Sequence, residues 1–197
     1  MNAPASTTPA FAHDQFLARR KVLSMLGAKF HFYDTAGRVI GFCKQKAFKL
    51  REDIRLYSDE SMSRELLLIK SRNIMDISAI FDVTDATTGE RVGAIRRRGL
   101  KSIVRDEWVI LDSTDREIGL VQEESAIVAM LRRFIELIPQ TFVFSVGGQV
   151  VGKAEQNFNP FVLKLSVDLT PDRARMLDRR LAAAAIILLL AVEGRQG

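Results

Sequence analysis

The sequence has 197 residues, of which 47% are hydrophobic, and its 29 Lys and Arg exceed its 24 Asp and Glu to give a net charge of +5. This length suits one domain, or at most two small ones, with a sizeable core. The composition, with one cysteine, excludes a wholly disordered chain, a collagen-like repeat, an internal disulfide and a cysteine-based zinc cluster. The mild basicity permits an anionic partner but does not require one.

The first residues, MNAPASTTPAFAHD, are small, polar and proline-bearing. They lack both the basic region and the apolar region of a secretory signal peptide. We therefore expect a disordered leader over residues 1–14, followed by one domain over residues 15–197.

Four segments share a local pattern of an apolar run, a turn, and an apolar residue followed by glycine. Turn-forming residues between alternating strands predict a β-hairpin in each segment. Four hairpins indicate an all-β sheet that curls or closes. The segments read FHFYDTAGRVIGF (30–42), AIFDVTDATTGERVGAI (79–95), WVILDSTDREIGLV (108–121) and FVFSVGGQVVGKA (142–154).

The first two segments continue to match beyond their turns, which indicates an internal duplication of about 52 residues. At offsets of 3, 5, 7 and 8 residues after Gly41 and again after Gly93, the chain carries two basic residues, an apolar residue and a further basic residue. These residues are Lys44, Lys46, Phe48 and Lys49 in the first copy and Arg96, Arg98, Leu100 and Lys101 in the second.

Between these hairpins, residues 66–70 and 74–83 have the apolar composition of strands. Residues 124–140, ESAIVAMLRRFIELIPQ, carry apolar side chains at spacings of three and four. Ser125 can cap the start of this segment and Pro139 ends it, so we predict an amphipathic helix between strands.

The last segment, 172–193, is predicted to be a helix whose second half is apolar on every face. Its most apolar part, LAAAAIILLLAV (181–192), would rise about 18 Å as a helix, against about 30 Å of bilayer hydrocarbon. A buried core helix is therefore favoured over a membrane span. Because such a helix must be enclosed and a barrel must be filled, the sequence predicts a closed antiparallel β-barrel around the C-terminal helix.

Several stretches of the chain resemble the tubby-like C-terminal fold group, in its LURP-one-related and phospholipid scramblase branch. The resemblance covers about residues 16–196, and it implies a twelve-stranded antiparallel barrel around a C-terminal hydrophobic helix. The stretches are KVLSMLGAKFHFYD (21–34), YSDESMSRELLLIKSR (57–72), GLKSIVRDEW (99–108), QNFNPF (156–161) and DRRLAAAAIILLLAVEG (178–194).

The chain departs from the scramblase pattern at two functional features. The segment that matches the scramblase calcium region keeps Asn157 and Phe158 but has Ala154 and Gln156 in place of aspartates, which leaves Glu155 alone. Calcium takes six to eight oxygen ligands, so we expect no calcium site in this segment. No zinc spacing, phosphate loop or dinucleotide fingerprint occurs in the sequence, so we expect no other metal and no cofactor either. The acylated cysteine cluster of scramblases is also absent, since Cys43 stands alone in a predicted strand.

Two basic clusters are the candidate binding residues. Tubby proteins bind phosphoinositides through basic residues, although no residue-by-residue match to that site exists here. The alternative is that these cations form the solvated rim of strands, where acids such as Asp106 and Glu107 could pair with them. The candidates for binding an anionic headgroup are Arg96, Arg97, Arg98, Lys101 and Arg105 with Lys44, Lys46 and Lys49.

Nothing in the sequence supports catalysis or nucleic-acid binding. His13 and His31 have no nucleophile at a motif spacing, and no phosphate loop or nucleophile elbow occurs. Near the basic clusters only Phe48 and Trp108 could stack on bases. We therefore expect no enzyme activity and no nucleic-acid partner.

Three functional hypotheses remain from the sequence. The first is a cytoplasmic barrel, with or without peripheral membrane contact, that binds anionic phospholipid headgroups or a protein partner through its basic strands. The second is a scramblase-like lipid translocator with the terminal helix in the bilayer. The third is a structural or regulatory scaffold.

Overall fold

A computed structural model describes residues 9–21, 28–45, 53–72, 79–98, 107–124, 140–157 and 162–193. These residues form twelve strands and a C-terminal helix, α1 (Arg179–Glu193). The strands are β1 (Gln15–Lys21), β2 (Ala28–Tyr33), β3 (Val39–Gln45), β4 (Ile54–Tyr57), β5 (Glu65–Ser71), β6 (Ile80–Asp85), β7 (Arg91–Arg97), β8 (Glu107–Leu111), β9 (Glu117–Glu123), β10 (Thr141–Val146), β11 (Gln149–Asn157) and β12 (Val162–Asp168).

The strands close into an antiparallel barrel in which each strand pairs with its neighbours in sequence. β1 completes the cylinder by pairing with both β2 and β12. The four predicted hairpins are confirmed as the pairs β2–β3, β6–β7, β8–β9 and β10–β11. The barrel predicted from the sequence is therefore the observed fold.

The hairpin turns differ in how they reverse the chain. Gly147 and Gly148 have φ angles of 56° and 79°, which glycine adopts without steric cost and which a two-residue hairpin requires. In the β8–β9 turn, which lacks glycine, the Asp112 carboxylate accepts hydrogen bonds from the Thr114 and Arg116 amides at 2.8 and 3.1 Å. A side-chain acceptor thus supports a turn whose sequence signal is weaker.

α1 fills the lumen of the barrel, as the sequence predicted. Every residue from position 181 to position 191 is at most 6% exposed, and these residues belong to the same core cluster as strand residues such as Phe30, Leu56 and Trp108. The four consecutive alanines allow strands and helix to approach closely, while the following isoleucines and leucines fill the remaining space. The apolar tail is therefore enclosed by protein on all sides.

The predicted start of the terminal helix is wrong by seven residues. The helix begins at Arg179, where Asp178 acts as the N-cap by accepting a hydrogen bond from the Arg180 amide at 2.8 Å. The Asp172 carboxylate instead accepts hydrogen bonds from the Met176 and Leu177 amides at 2.8 and 3.0 Å. Those bonds hold the preceding residues in turns rather than in a first helical turn.

Part of the predicted leader is structured. Pro9–Phe11 forms a short 3₁₀-helix, and Phe11 packs into the core with 8% of its surface exposed. Ordered structure therefore begins before residue 15. The predicted amphipathic helix over 124–140 falls almost wholly on residues 125–139, which lie outside the described residues. Of the predicted strand 74–83, residues 80–83 belong to β6, and residues 74–78 lie outside the described residues.

The Cys43 thiol should resist modification in the folded protein. Cys43 is fully buried in β3, and burial raises the pKa of its thiol to about 12, so almost no thiolate forms at neutral pH. We expect an aromatic disulfide reagent to label no thiol in the native protein and one per chain in guanidinium chloride. Because Cys43 is the one cysteine, the signal is unambiguous. Fast labelling of the native protein would show that β3 opens.

Candidate functional site

The alternating strand directions give the barrel two distinct ends. Every strand of the barrel is antiparallel to both of its neighbours. The C-termini of the odd-numbered strands and the N-termini of the even-numbered strands therefore lie at the same end of the barrel. Lys44 is the penultimate residue of β3, and Arg96, Arg97 and Arg98 stand at the end of β7. These four predicted site residues therefore lie at one end, which we call the basic end. The opposite end, the turn end, carries the turns at residues 34–38, 86–90, 112–116 and 147–148.

Arg96 and Arg98 are paired with acidic side chains of β8 and β9. The Arg98 guanidinium donates to Glu107 at 2.5 Å and lies 3.4 Å from Glu117, which also pairs with Arg96. About half of the Arg98 side chain remains exposed. The pairing with Glu107 that the sequence suggested is present, and it offsets part of the positive charge.

Arg97 occupies a different position from its two neighbours. In the β7–β8 register it stands opposite Trp108, whose side chain belongs to the core. The Arg97 guanidinium carbon lies 5.7 Å from the centre of the Trp108 ring, a cation–π contact. Arg97 therefore packs over the core at the basic end, and its side chain remains partly exposed.

Lys44 lies apart from the β7 arginines. β4, β5 and β6 separate β3 from β7, so the two clusters lie at the same end of the barrel but not on adjacent strands. Lys44 is exposed and stands directly opposite Lys29, which is also exposed. The other predicted site residues, Lys46, Lys49, Lys101 and Arg105, lie outside the described residues.

The turn end holds a second charge cluster, centred on the buried side chains of Arg180 and Asp85. Arg180 donates to Asp85, Glu90 and Asp178 at 3.0, 2.8 and 2.7 Å, and these bonds, that to Asp178 foremost, raise its pKa further above the ordinary value. The neighbouring Arg179 donates to Asp172 at 2.7 Å. These bonds attach the first turn of α1 to the barrel wall, which is a structural role.

The residues considered for catalysis and metal binding remain dispersed. His31 Nε2 lies 2.9 Å from Glu60 Oε1, and the ring packs against Tyr33. Within the described parts of the chain, no group of three or more His, Cys, Asp or Glu side chains could hold a metal ion. Glu155, the one acid left in the segment that matches the scramblase calcium region, faces outward on β11.

A groove of about 800 Å³ crosses the outer face of β1, β11 and β12, and sequence reasoning missed it. Its walls include Arg19, Lys164 and Ser166, none of which was predicted as a site residue. Arg19 and Lys164 come from opposite ends of the chain and meet because β1 pairs with β12. No local motif signals this; only the closure of the barrel brings them together.

No helix within the described residues combines the length and the apolar character needed to cross a bilayer. The one segment that resembles a span, α1, has 15 residues and lies inside the barrel.

Comparison with known proteins identifies a family. A family model described as LURP-one-related matches residues 14–190, which is most of the chain. This match confirms the resemblance drawn from the sequence. The comparisons with curated proteins and with solved structures gave no match.

Proposed function

Since the chain belongs to the LURP-one-related family, we propose that it is a non-enzymatic, cytoplasmic barrel that binds anionic phospholipid headgroups through its basic end. The observation that supports this most is the position of Lys44 and Arg96–Arg98 on strands that end together. Cations near an anionic membrane surface each contribute about 1 kcal/mol, so several at one end would orient the barrel on a membrane.

A scaffold function is the alternative that a specific observation favours. The ion pairs of Arg96 and Arg98 with Glu107 and Glu117 are those expected of a solvated strand rim. The translocator hypothesis, which put the terminal helix in the bilayer, has less support because α1 fills the lumen.

Removing charge from the basic end should weaken association with anionic vesicles. We expect the triple variant Lys44→Gln/Arg96→Gln/Arg98→Gln to lower the partition coefficient by about tenfold, which corresponds to about 1.4 kcal/mol. Each unpaired cation would contribute about 1 kcal/mol, and the acids that pair with Arg96 and Arg98 reduce the total for the three. Vesicle sedimentation with phosphatidylserine in phosphatidylcholine, at low and physiological salt, measures the effect.

A matched variant at the turn end controls for net charge. Arg38→Gln/Arg116→Gln/Arg175→Gln removes the same charge from side chains that are 76%, 80% and 55% exposed at the opposite end of the barrel. This control should bind vesicles like the wild type. Equal binding by all three proteins would contradict headgroup binding at the basic end and favour the scaffold.

A further inference from the structure

The groove lies on the outer wall of the barrel, across the adjacent strands β2, β1, β12 and β11, and its cations Arg19 and Lys164 lie toward the basic end but on other strands than Lys44 and the β7 arginines. Its volume, about 800 Å³, lies within the range of small-molecule sites. Leu17 and Tyr33 are cross-strand neighbours on β1 and β2 and form an apolar wall. Ser166 stands opposite Leu17 on β12, so the polar and apolar parts of the groove are contiguous.

Two cations in the groove face each other directly. Arg19 and Lys164 are register partners across β1 and β12, a position in which side chains approach closely and like charges repel. Neither has an ion-pair partner within the described part of the chain. Arg19 Nε is also shielded from solvent and has no hydrogen-bond partner among the residues that the structure describes. Buried donors are almost always paired, so the described residues leave this hydrogen-bonding group of Arg19 unsatisfied.

Two of the three carboxylates of the groove, Asp34 and Asp168, are committed to their own turns, and the third, Glu155, stands opposite Ser166 and forms no ion pair with Arg19 or Lys164 in the described part of the chain. The Asp34 carboxylate accepts hydrogen bonds from the Ala36 and Arg38 amides at 2.9 and 2.8 Å. The Asp168 carboxylate accepts hydrogen bonds from the Thr170 amide and hydroxyl at 2.9 and 2.6 Å. Each therefore stabilises its own turn. Neither lies within ion-pair distance of Arg19 or Lys164.

We propose that this groove binds a phosphomonoester, with the phosphate between Arg19 and Lys164. A guanidinium offers a planar pair of donors to phosphate oxygens and an ammonium offers a point charge, so a phosphate with about two negative charges matches two facing cations better than a carboxylate does. Asn157, the register partner of Lys164, and Ser166 supply neutral donors beside them. The carbon skeleton of the ligand then lies over Leu17 and Tyr33.

The site goes beyond the headgroup binding proposed for the basic end, because it uses different strands and a concave surface. Its ligand could be a soluble phosphate ester or the headgroup of phosphatidic acid, which have the same phosphomonoester chemistry. In either case the bound phosphate relieves the repulsion between Arg19 and Lys164.

Calorimetric titration of the full chain with inorganic phosphate at constant ionic strength tests the proposal. We expect saturable binding by the wild type, and about tenfold or greater weakening in both Arg19→Gln and Lys164→Gln, since each removes a charged hydrogen-bond donor. Arg116→Gln, which removes the same charge from a side chain 80% exposed at the turn end, should bind like the wild type. Absence of saturable binding, or equal binding by all four proteins, would overturn the proposal.

Melting temperatures keep the test decisive if a variant folds poorly. Because Lys164→Gln removes a like-charge neighbour, it should melt at or above the wild-type temperature in phosphate-free buffer. Phosphate should then raise the melting temperature of the wild type but not of Lys164→Gln. An equal rise in both proteins would contradict binding at this pair.

Vesicles distinguish the two sources of the phosphate. If the groove takes lipid, Lys164→Gln should bind phosphatidylcholine vesicles that contain phosphatidic acid more weakly than the wild type but bind phosphatidylserine vesicles equally well, while the basic-end triple variant keeps its binding of inorganic phosphate. If the groove takes a soluble ester, Lys164→Gln should bind those vesicles like the wild type and lose affinity for glycerol phosphate. Retention of both affinities by Lys164→Gln would exclude a phosphomonoester site.

Discussion

Replacing Ile187 with Asp is expected to unfold the domain. Ile187 is fully buried in the middle of α1, inside the barrel, and the substitution would put an unpaired carboxylate among apolar side chains. An uncompensated buried charge costs several kcal/mol, and the lost packing of an isoleucine adds about 2–5 kcal/mol. Together these approach the entire stability of a typical domain, about 5–15 kcal/mol. Circular dichroism and thermal melting at neutral pH measure the result.

Two further variants separate burial of charge from other effects. Ile187→Val keeps the site apolar and should cost only about 0.5–1.5 kcal/mol. Val39→Asp introduces the same carboxylate at the start of β3, where the residue is 41% exposed, and should leave the melting temperature nearly unchanged. A wild-type melting temperature for Ile187→Asp would contradict an enclosed helix.

The barrel could be predicted from the sequence because its determinants are local. Each hairpin is specified by alternating apolar residues around a turn, and the Gly147–Gly148 turn fixes its strand pair without help from the rest of the chain. The apolar tail is equally explicit, since a helix that is hydrophobic on every face has to be enclosed. Once hairpins and tail are known, a filled barrel is the simplest arrangement that satisfies both.

What could not be predicted depends on contacts between distant residues. The start of α1 is set by Asp178, which caps it, whereas the sequence alone allowed Asp172 to cap a helix that begins one to two turns earlier. The groove depends on β1 pairing with β12, which places Arg19 beside Lys164 from the far end of the chain. The ion pairs of Arg96 and Arg98 likewise depend on the register of β8 and β9 against β7.

Replacing Arg179 with Gln should destabilise the barrel strongly. The Arg179 guanidinium, 5% exposed, donates to Asp172 at 2.7 Å and to Asp14 at 2.9 Å, and the Asp172 side chain is fully shielded from solvent. Removing the guanidinium leaves the Asp172 carboxylate buried without a charge partner, which costs about 3–5 kcal/mol. Urea denaturation at pH 7 measures the change in the free energy of unfolding.

An exposed ion pair of the same residue types provides the comparison. Arg116 pairs with Asp112 at 2.9 Å, but 80% of the Arg116 side chain is exposed, so Arg116→Gln should cost only about 0–1 kcal/mol. Equal losses in the two variants would show that the Arg179 pair contributes no more than a surface contact.

The loss caused by Arg179→Gln should depend on pH in a direction set by Asp172. Burial raises the pKa of Asp172, but hydrogen bonds from the Leu177 amide, the Arg179 guanidinium and the Met176 amide outweigh burial, so this pKa lies below its ordinary value in the folded protein. A carboxyl group with a lowered pKa stabilises the fold fully above its unfolded pKa, about 3.9, and loses that contribution as the pH falls through the folded value. The difference in unfolding free energy between wild type and Arg179→Gln should therefore be full at pH 7 and shrink below about pH 4. Urea denaturation of both proteins at pH 7 and below about pH 4 measures this difference in unfolding free energy. A difference that stays constant as the pH falls would show that Asp172 is not the charge partner of Arg179.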